Sequence, residues 1–364
     1  MLRALPSVFS VAEPDGDRSR QGMRVIVILL LLLVIASAVS LSQGSSSVDL
    51  HHLWLYLTGR GSELTLQERV VVEAVRLPRT AMAILVGAGL AVSGAMMQGL
   101  FRNPLADPGI VGVTSGAALF AVTAIVLGGS ILAPVSALLG NQMITLMAFM
   151  GGLINTWLLY KIATRGGYTN TSTLVLSGIA VGAMSGALTG LLIFVADDRQ
   201  LRDITFWSLG SLSGSTYPRV LSVLPFVILL TVITPMVARG LDALVLGDAA
   251  AFHMGIRVQR IKRLVILAVA AACGATVAVA GSIGFVGIVV PHLLRLVIGP
   301  SHRFLLPASA IGGATLLLLA DSVARTIAAP AELPIGIVTA LFGAPVFLFL
   351  LIGKRNGRGS GDLS

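Results

Sequence analysis

The chain is poor in charge, in cysteine and in aromatic side chains. Of its 364 residues only 11% are charged and 5% aromatic, and its single cysteine, Cys273, sits inside an apolar run. A soluble domain carries about 25% charged residues. With 55% hydrophobic residues and a mean hydropathy of +0.93, the chain holds more apolar surface than a core can absorb, so its solvent is lipid. One cysteine excludes an internal disulfide and a cysteine-based metal site, and Cys273 reads as packing. There is no G-x-x-x-x-G-K-[ST] segment, hence no loop of that kind to cradle nucleotide phosphates. There is no H-E-x-x-H, and His51, His52, His253, His292 and His302 share no metal-ligand spacing within one helix. No carboxylate stands at the centre of an apolar run, where a proton relay would need one. The nearest, Asp321, lies towards the end of its run with Arg325 four residues on and on the same helical face, which reads as a structural pair.

What is present is a series of apolar runs. Residues 25–42, VIVILLLLLVIASAVSLS, hold 18 residues without a charge, near the roughly 20 that span a bilayer as a helix. Runs of this kind predict ten membrane helices, near 24–42, 79–101, 109–128, 141–162, 172–195, 218–238, 263–282, 284–298, 305–325 and 336–353. The fold class is therefore an all-α polytopic membrane protein with one transmembrane domain over 24–353, a tail at 1–23 and another at 354–364. The basic residues before the first run and Ala36-Ser37-Ala38 within it also suit a signal peptide, but the run is long for one, which favours an uncleaved helix. The net charge of +9 implies no nucleic acid here, because Lys and Arg mark cytoplasmic loops of membrane proteins. Alternating the ten helices puts 17 Lys and Arg on the side of the termini and 8 on the other, so both termini are expected in the cytoplasm. Three connectors are long: 43–78 and 196–217 outside, the latter with room for a short helix, and 239–262 inside. AVSGA at 91–95 and AVAGS at 278–282 fall on helices of opposite direction, as an inverted repeat would place them.

Four features stand out. Gly178, Gly182, Gly186 and Gly190 repeat every four residues in the fifth helix and leave a face without side chains. That face serves close static packing, a pathway lining that slides, or both. In the inner connector, Asp248 is expected to cap a short helix, AAAFHM, and Gly255 to end it in the left-handed conformation. A helix bounded in this way is a docking element, whereas a plain polar connector would need no such ends. Third, NPLADPG at 103–109 interrupts two of the most apolar stretches. Pro104 and Pro108 each remove a backbone donor and bias the preceding residue away from helix. The segment should stop the second helix abruptly and launch the third from a rigid turn, with Asp107 accepting from free N–H groups at its start. Irregular backbone at such depth requires protein or water around it. Last, Arg199 and Arg202 sit in the outer connector ADDRQLRDITFWSLGSLSG, residues 196–214.

The segments 76–117, 246–255, 281–307 and 331–351, from RLPRTAMAILVGAGLAVSGAMMQGLFRNPLADPGIVGVTSGA to AELPIGIVTALFGAPVFLFLL, resemble in order and spacing the FecCD family. These are permease subunits of ATP-driven importers for vitamin B12, ferric siderophores and haem, and 196–214 is most similar to the haem branch. The resemblance implies the type II ABC importer permease fold, with an inverted repeat and a path along the axis of a homodimer in the bacterial inner membrane. It implies two ABC ATPase subunits on the cytoplasmic face, which hold ATP and Mg while this chain binds no cofactor, and a periplasmic binding protein outside. Leu246, Gly247, Asp248, Ala251 and Gly255 fall on the family's coupling helix. Arg60 and Arg325 fall on outer basic residues that meet acids of the binding protein. The glycine helix and the segment after it match the pathway and gate, and Asn103, Pro104, Asp107 and Pro108 belong to the signature turn. Haem is an apolar plate with two carboxylates, which Arg199 or Arg202 could meet at the entrance. The rival from another class, an ion-coupled secondary transporter, shares polytopy and inverted repeats, but wants the mid-membrane carboxylate this chain lacks.

Overall fold

A computed structural model of the protein describes residues 18–43, 50–60, 63–329 and 331–356, so most of both expected tails lies outside the described residues. The chain runs α1 (Ser19–Ser42), α2 (Leu50–Leu57), α3 (Leu66–Val70), a π segment (Val71–Arg76), α4 (Leu77–Phe101), α5 (Val113–Leu127), α6 (Ala133–Leu139) and α7 (Met143–Ala163). A hairpin of β1 (Thr164–Arg165) and β2 (Tyr168–Thr169) leads to α8 (Thr171–Phe194), α9 (Asp198–Leu209), α10 (Tyr217–Leu244), α11 (Asp248–His253) and α12 (Val258–Ala280). The chain closes with α13 (Val286–Ile298), α14 (His302–Ile327) and α15 (Ile335–Asn356). Among the described residues seven helices are long and apolar enough to cross a membrane, and α5, α13 and α15 are shorter apolar ones. An apolar helix thus stands at each of the ten expected positions. They alternate between two ends, here the α9 end and the α11 end.

The centre is α4. It is apolar on every side, as a helix surrounded by other helices must be, and its residues from Val86 to Leu100 are all buried. α14, α12, α10 and α13 pack around it, while α5, α7 and α8 form a second group joined to the first through α12. Small residues let backbones meet. A Cβ built on Gly94 would lie 1.8 Å from the carbonyl oxygen of Gly287 on α13, with backbone rather than a movable side chain in the way. Gly94→Val is therefore expected to lower thermal stability by at least the ~1–3 kcal/mol of an overpacked core. A melting curve in detergent checks this, and an unchanged transition would mean that α4 and α13 separate freely.

Several boundaries differ from the sequence-based expectation. The second span begins at Leu66 rather than near 79, because the π segment continues α3 into α4. Arg76 and Arg79, expected in an outer loop, are buried in this helix at 3% and 8% exposure. Removing them reduces the outer Lys and Arg from 8 to 6. The connector 43–78 is largely helical, with Thr65 and Glu68 forming a reciprocal cap at the start of α3. At the α11 end, α10 runs on to Leu244 and α12 starts at Val258, so the connector expected at 239–262 shrinks to 245–257. His302, expected in a loop, opens α14 and is buried, with Asp242 Oδ1 accepting from its backbone N–H at 2.9 Å and lying 2.6 Å from its Nδ1. Cys273 is a buried free thiol. The connector 196–217 does hold a short helix, α9.

Candidate functional site

The α11 end carries the short helix that the sequence singles out. Gly247 precedes it at φ 103, a conformation open to glycine, and no side chain caps it. Asp248 is not the cap. It is the first helical residue, and its Oδ2 lies 2.5 Å from Nζ of Lys262 on α12. The helix ends as expected at Gly255, φ 81, with Ile256 N–H donating to the Ala251 carbonyl at 3.0 Å. Ala251 is fully buried and anchors the helix. Leu246, Phe252 and Met254 are 67%, 69% and 60% exposed, an apolar cluster beside the basic residues Arg257 and Arg260. A groove of about 600 Å³ separates α11 from the hairpin, between Tyr168, Asp248, Phe252, Arg257 and Gln259.

The NPLADPG turn lies beside this helix, since a Cβ on Gly247 would stand 3.5 Å from a guanidinium nitrogen of Arg102. α4 stops at Arg102 in the left-handed region, and Asn103 Oδ1 accepts from Leu105 N–H at 3.0 Å. Asp107 Oδ1 accepts from Gly109 N–H at 2.7 Å and caps a single 3-10 turn, Pro108–Val111, that leads into α5. Side chains of the neighbouring helix cover the carbonyls at the end of this turn. Asn155 Nδ2 donates to Gly112 O at 2.8 Å and Thr156 Oγ1 to Val111 O at 3.0 Å, both from α7. The sequence-based reading missed these two residues; a polar pair in the middle of an apolar run is the signal that could have found them.

The glycine face of α8 divides in two. A Cβ on Gly178 would lie 2.2 Å from the Ile110 carbonyl oxygen, so this part packs closely. Gly182 meets only Ser115 Oγ at 3.9 Å, and Gly186 and Gly190 meet nothing within 4 Å. The half towards the α9 end is therefore open within the subunit. α9 follows it, capped reciprocally by Asp197 and Gln200. Ile204 is its one buried residue and packs on Val122 and Val126 of α5. Arg199 and Arg202 are exposed on this helix.

The α9 end also holds a buried charge cluster. Arg79 donates from Nη2 to Asp321 Oδ1 at 2.9 Å, from Nε to both Asp321 oxygens at 3.1 Å, and from Nη1 to Glu332 Oε1 at 2.7 Å. The expected pair is present as well, with Arg325 Nε 3.0 Å from Asp321 Oδ2. Arg325 also donates to the carbonyls of Gln43 at 2.9 Å and Ser40 at 3.0 Å, and its side chain is only 8% exposed. Arg60, by contrast, is exposed and pairs with Glu63 at 2.7 Å. The two arginines expected to face a partner therefore have different surroundings, one facing outward and one tied into the protein. Partial burial pushes the Glu332 carboxyl up, but the hydrogen bond and charge of Arg79, with smaller help from Ser213 and Arg325, together hold it below the usual carboxylate range.

Comparison with known proteins places this geometry. The model of the FecCD transport family matches residues 30–353. The hemin transport system permease protein HmuU of Yersinia pestis is 45% identical over 284 residues, 78% of this chain and 84% of that protein. The cobalamin import system permease protein BtuC of Halobacterium salinarum is 46% identical over 283 residues, 78% and 73% of the two chains. The vitamin B12 import system permease protein BtuC of Escherichia coli O9:H4 is 40% identical over 295 residues, 81% and 87%. Among solved structures, a metal-chelate type ABC transporter in an inward-facing conformation superposes with a TM-score of 0.78 at 33% identity, over 91% of this chain and 99% of that one.

Proposed function

Because this chain belongs to the FecCD transport family and is a multi-pass permease of an ABC importer, we propose that it passes haem from a periplasmic binding protein into the cytoplasm. It does so as a homodimer in the bacterial inner membrane, with both termini and α11 in the cytoplasm. Importers of this family work with an ATPase and a binding protein. Two ATPase subunits dock on Leu246–Gly255, and ATP and Mg belong to them, with no cofactor on this chain. The open half of α8 lines the path, α9 forms its outer rim, and the outer surface around Arg60 receives the binding protein. Arg325 meets that protein only if it is shared with Asp321.

The observation that carries the choice of haem is the pair of exposed arginines on α9, next to a helix face with no side chains at Gly186 and Gly190. Two cations at the rim suit the two carboxylates of haem, and a bare face lets a flat apolar plate pass without binding tightly, as release requires. The 46% identity to a cobalamin permease favours cobalamin as the second reading. Proteoliposomes holding the permease with its ATPase, tested with binding protein loaded with haem, ferric siderophore or cobalamin, decide between them. Haem is expected to stimulate ATP hydrolysis and uptake. Stimulation by the other two alone rejects it.

A further inference from the structure

Lys262 lies one turn into α12, and its side chain is only 3% exposed. A lysine ammonium at that depth requires fixed acceptors. It has two, from different parts of the chain: Asp248 Oδ2 on the first residue of α11 at 2.5 Å, and the carbonyl of Thr169 at the end of β2 at 3.1 Å. Three residues earlier on the same helix, Gln259 Oε1 accepts from the N–H of Thr169 at 2.9 Å. Both backbone groups of Thr169 are thus held by side chains of α12 spaced i, i+3, which share a helical face.

Thr169 is well placed to pass a displacement on. It pairs with Thr164 across the hairpin, their hydroxyls 3.0 Å apart. It directly precedes Asn170, whose Oδ1 accepts from Thr173 N–H at 3.0 Å and caps α8. The chain of contacts therefore runs from α11 through Asp248 to Lys262, to Thr169, and into the first turn of the helix that carries the open glycine face. Each link between Asp248, Lys262 and Thr169 is a direct contact at the edge of the groove that separates α11 from the hairpin. Coupling between distant sites travels through contiguous groups of this kind.

We propose that Lys262, with Gln259, is the strut that carries movement of α11 to the start of α8. It is a positioning residue for transport and touches neither nucleotide nor cargo. The role rests on the reading that α11 docks the ATPase. A buried lysine kept only to satisfy its own charge would stabilise the fold equally, but would leave the ratio of uptake to ATP hydrolysis unchanged.

The test uses the full permease with its ATPase and binding protein in proteoliposomes. In K262M, ATP turnover is expected to stay within about twofold of the parent while uptake per ATP falls about tenfold, and K262R, which keeps a donor, recovers most of it. Spin labels at Tyr168→Cys and Ala249→Cys on the permease in nanodiscs give a second readout, a narrow distance distribution that broadens in K262M. Parent-level uptake per ATP in K262M, or an unchanged distribution, overturns the strut. Should K262M fail to insert, Gln259→Leu carries the test: it lowers uptake per ATP if the strut is real, and parent-level uptake overturns it. Failure of the docking reading looks different. There, altering the exposed apolar residues of α11 leaves ATPase binding intact, whereas failure of the strut alone leaves that binding sensitive and K262M fully coupled.

Discussion

Exchanging Phe252 and Met254 for serine is expected to release the ATPase from a permease that is otherwise intact. The two side chains are 69% and 60% exposed, so the fold gains little from them. They stand on a short helix whose own anchor, Ala251, is fully buried and untouched by the exchange. Burying a large apolar side chain is worth about 1.5–3 kcal/mol. Losing two such contacts removes about 3–6 kcal/mol of binding, a weakening of roughly a hundredfold to ten-thousandfold. Uptake should vanish, while the variant inserts and melts like the parent. Binding of the separate ATPase to detergent-purified permease is the direct measurement, and an unchanged affinity would remove α11 from the interface.

The second large effect is expected from Asp321→Ala. The carboxylate is 1% exposed and lies between Arg79 and Arg325. Removing it leaves two guanidinium groups close together, with Glu332, itself 42% exposed, as the remaining carboxylate paired with them among the described residues. Breaking a buried pair by deleting one partner costs about 3–5 kcal/mol, because the remaining charge is left uncompensated. The variant should accumulate poorly in the membrane and lose its melting transition. Asp321→Asn keeps two acceptor lone pairs and should fall between the two. Parent-like stability of the alanine variant would mean that Glu332 and water suffice to hold the arginines.

These two sites were legible in the sequence to different degrees, for physical reasons. The ten spans could be read because a charge in lipid is expensive and so marks a loop. The same rule misplaced Arg76 and Arg79. It treats each charge as unpaired, while Arg79 has its counter-ion 242 positions further along the chain. No local pattern reports such a partner. Gly255 could be read because a left-handed residue after a short helix is a local requirement. The same local logic makes Asp248 a cap, but Lys262 on the next helix gives it a different partner. The glycine repeat marked a face without showing what lies against it, and only packing separates Gly178 from Gly186 and Gly190. The NPLADPG turn was the most readable feature, since its prolines and Asp107 act within a few residues of themselves.

The π segment, Val71–Arg76, has a consequence for how the surface at the α9 end can change. A wide turn is one surplus residue that a helix has absorbed instead of expelling it into a loop. Dropping a single residue there would close the hydrogen-bond ladder at its ordinary spacing and swing everything before it by about 100° around the axis. The capped turn at Thr65–Glu68 would then point in a new direction while α10, α12, α13 and α14 stayed packed on α4. The surface at the α9 end and the helix core can therefore drift apart in evolution, one deletion or insertion at a time.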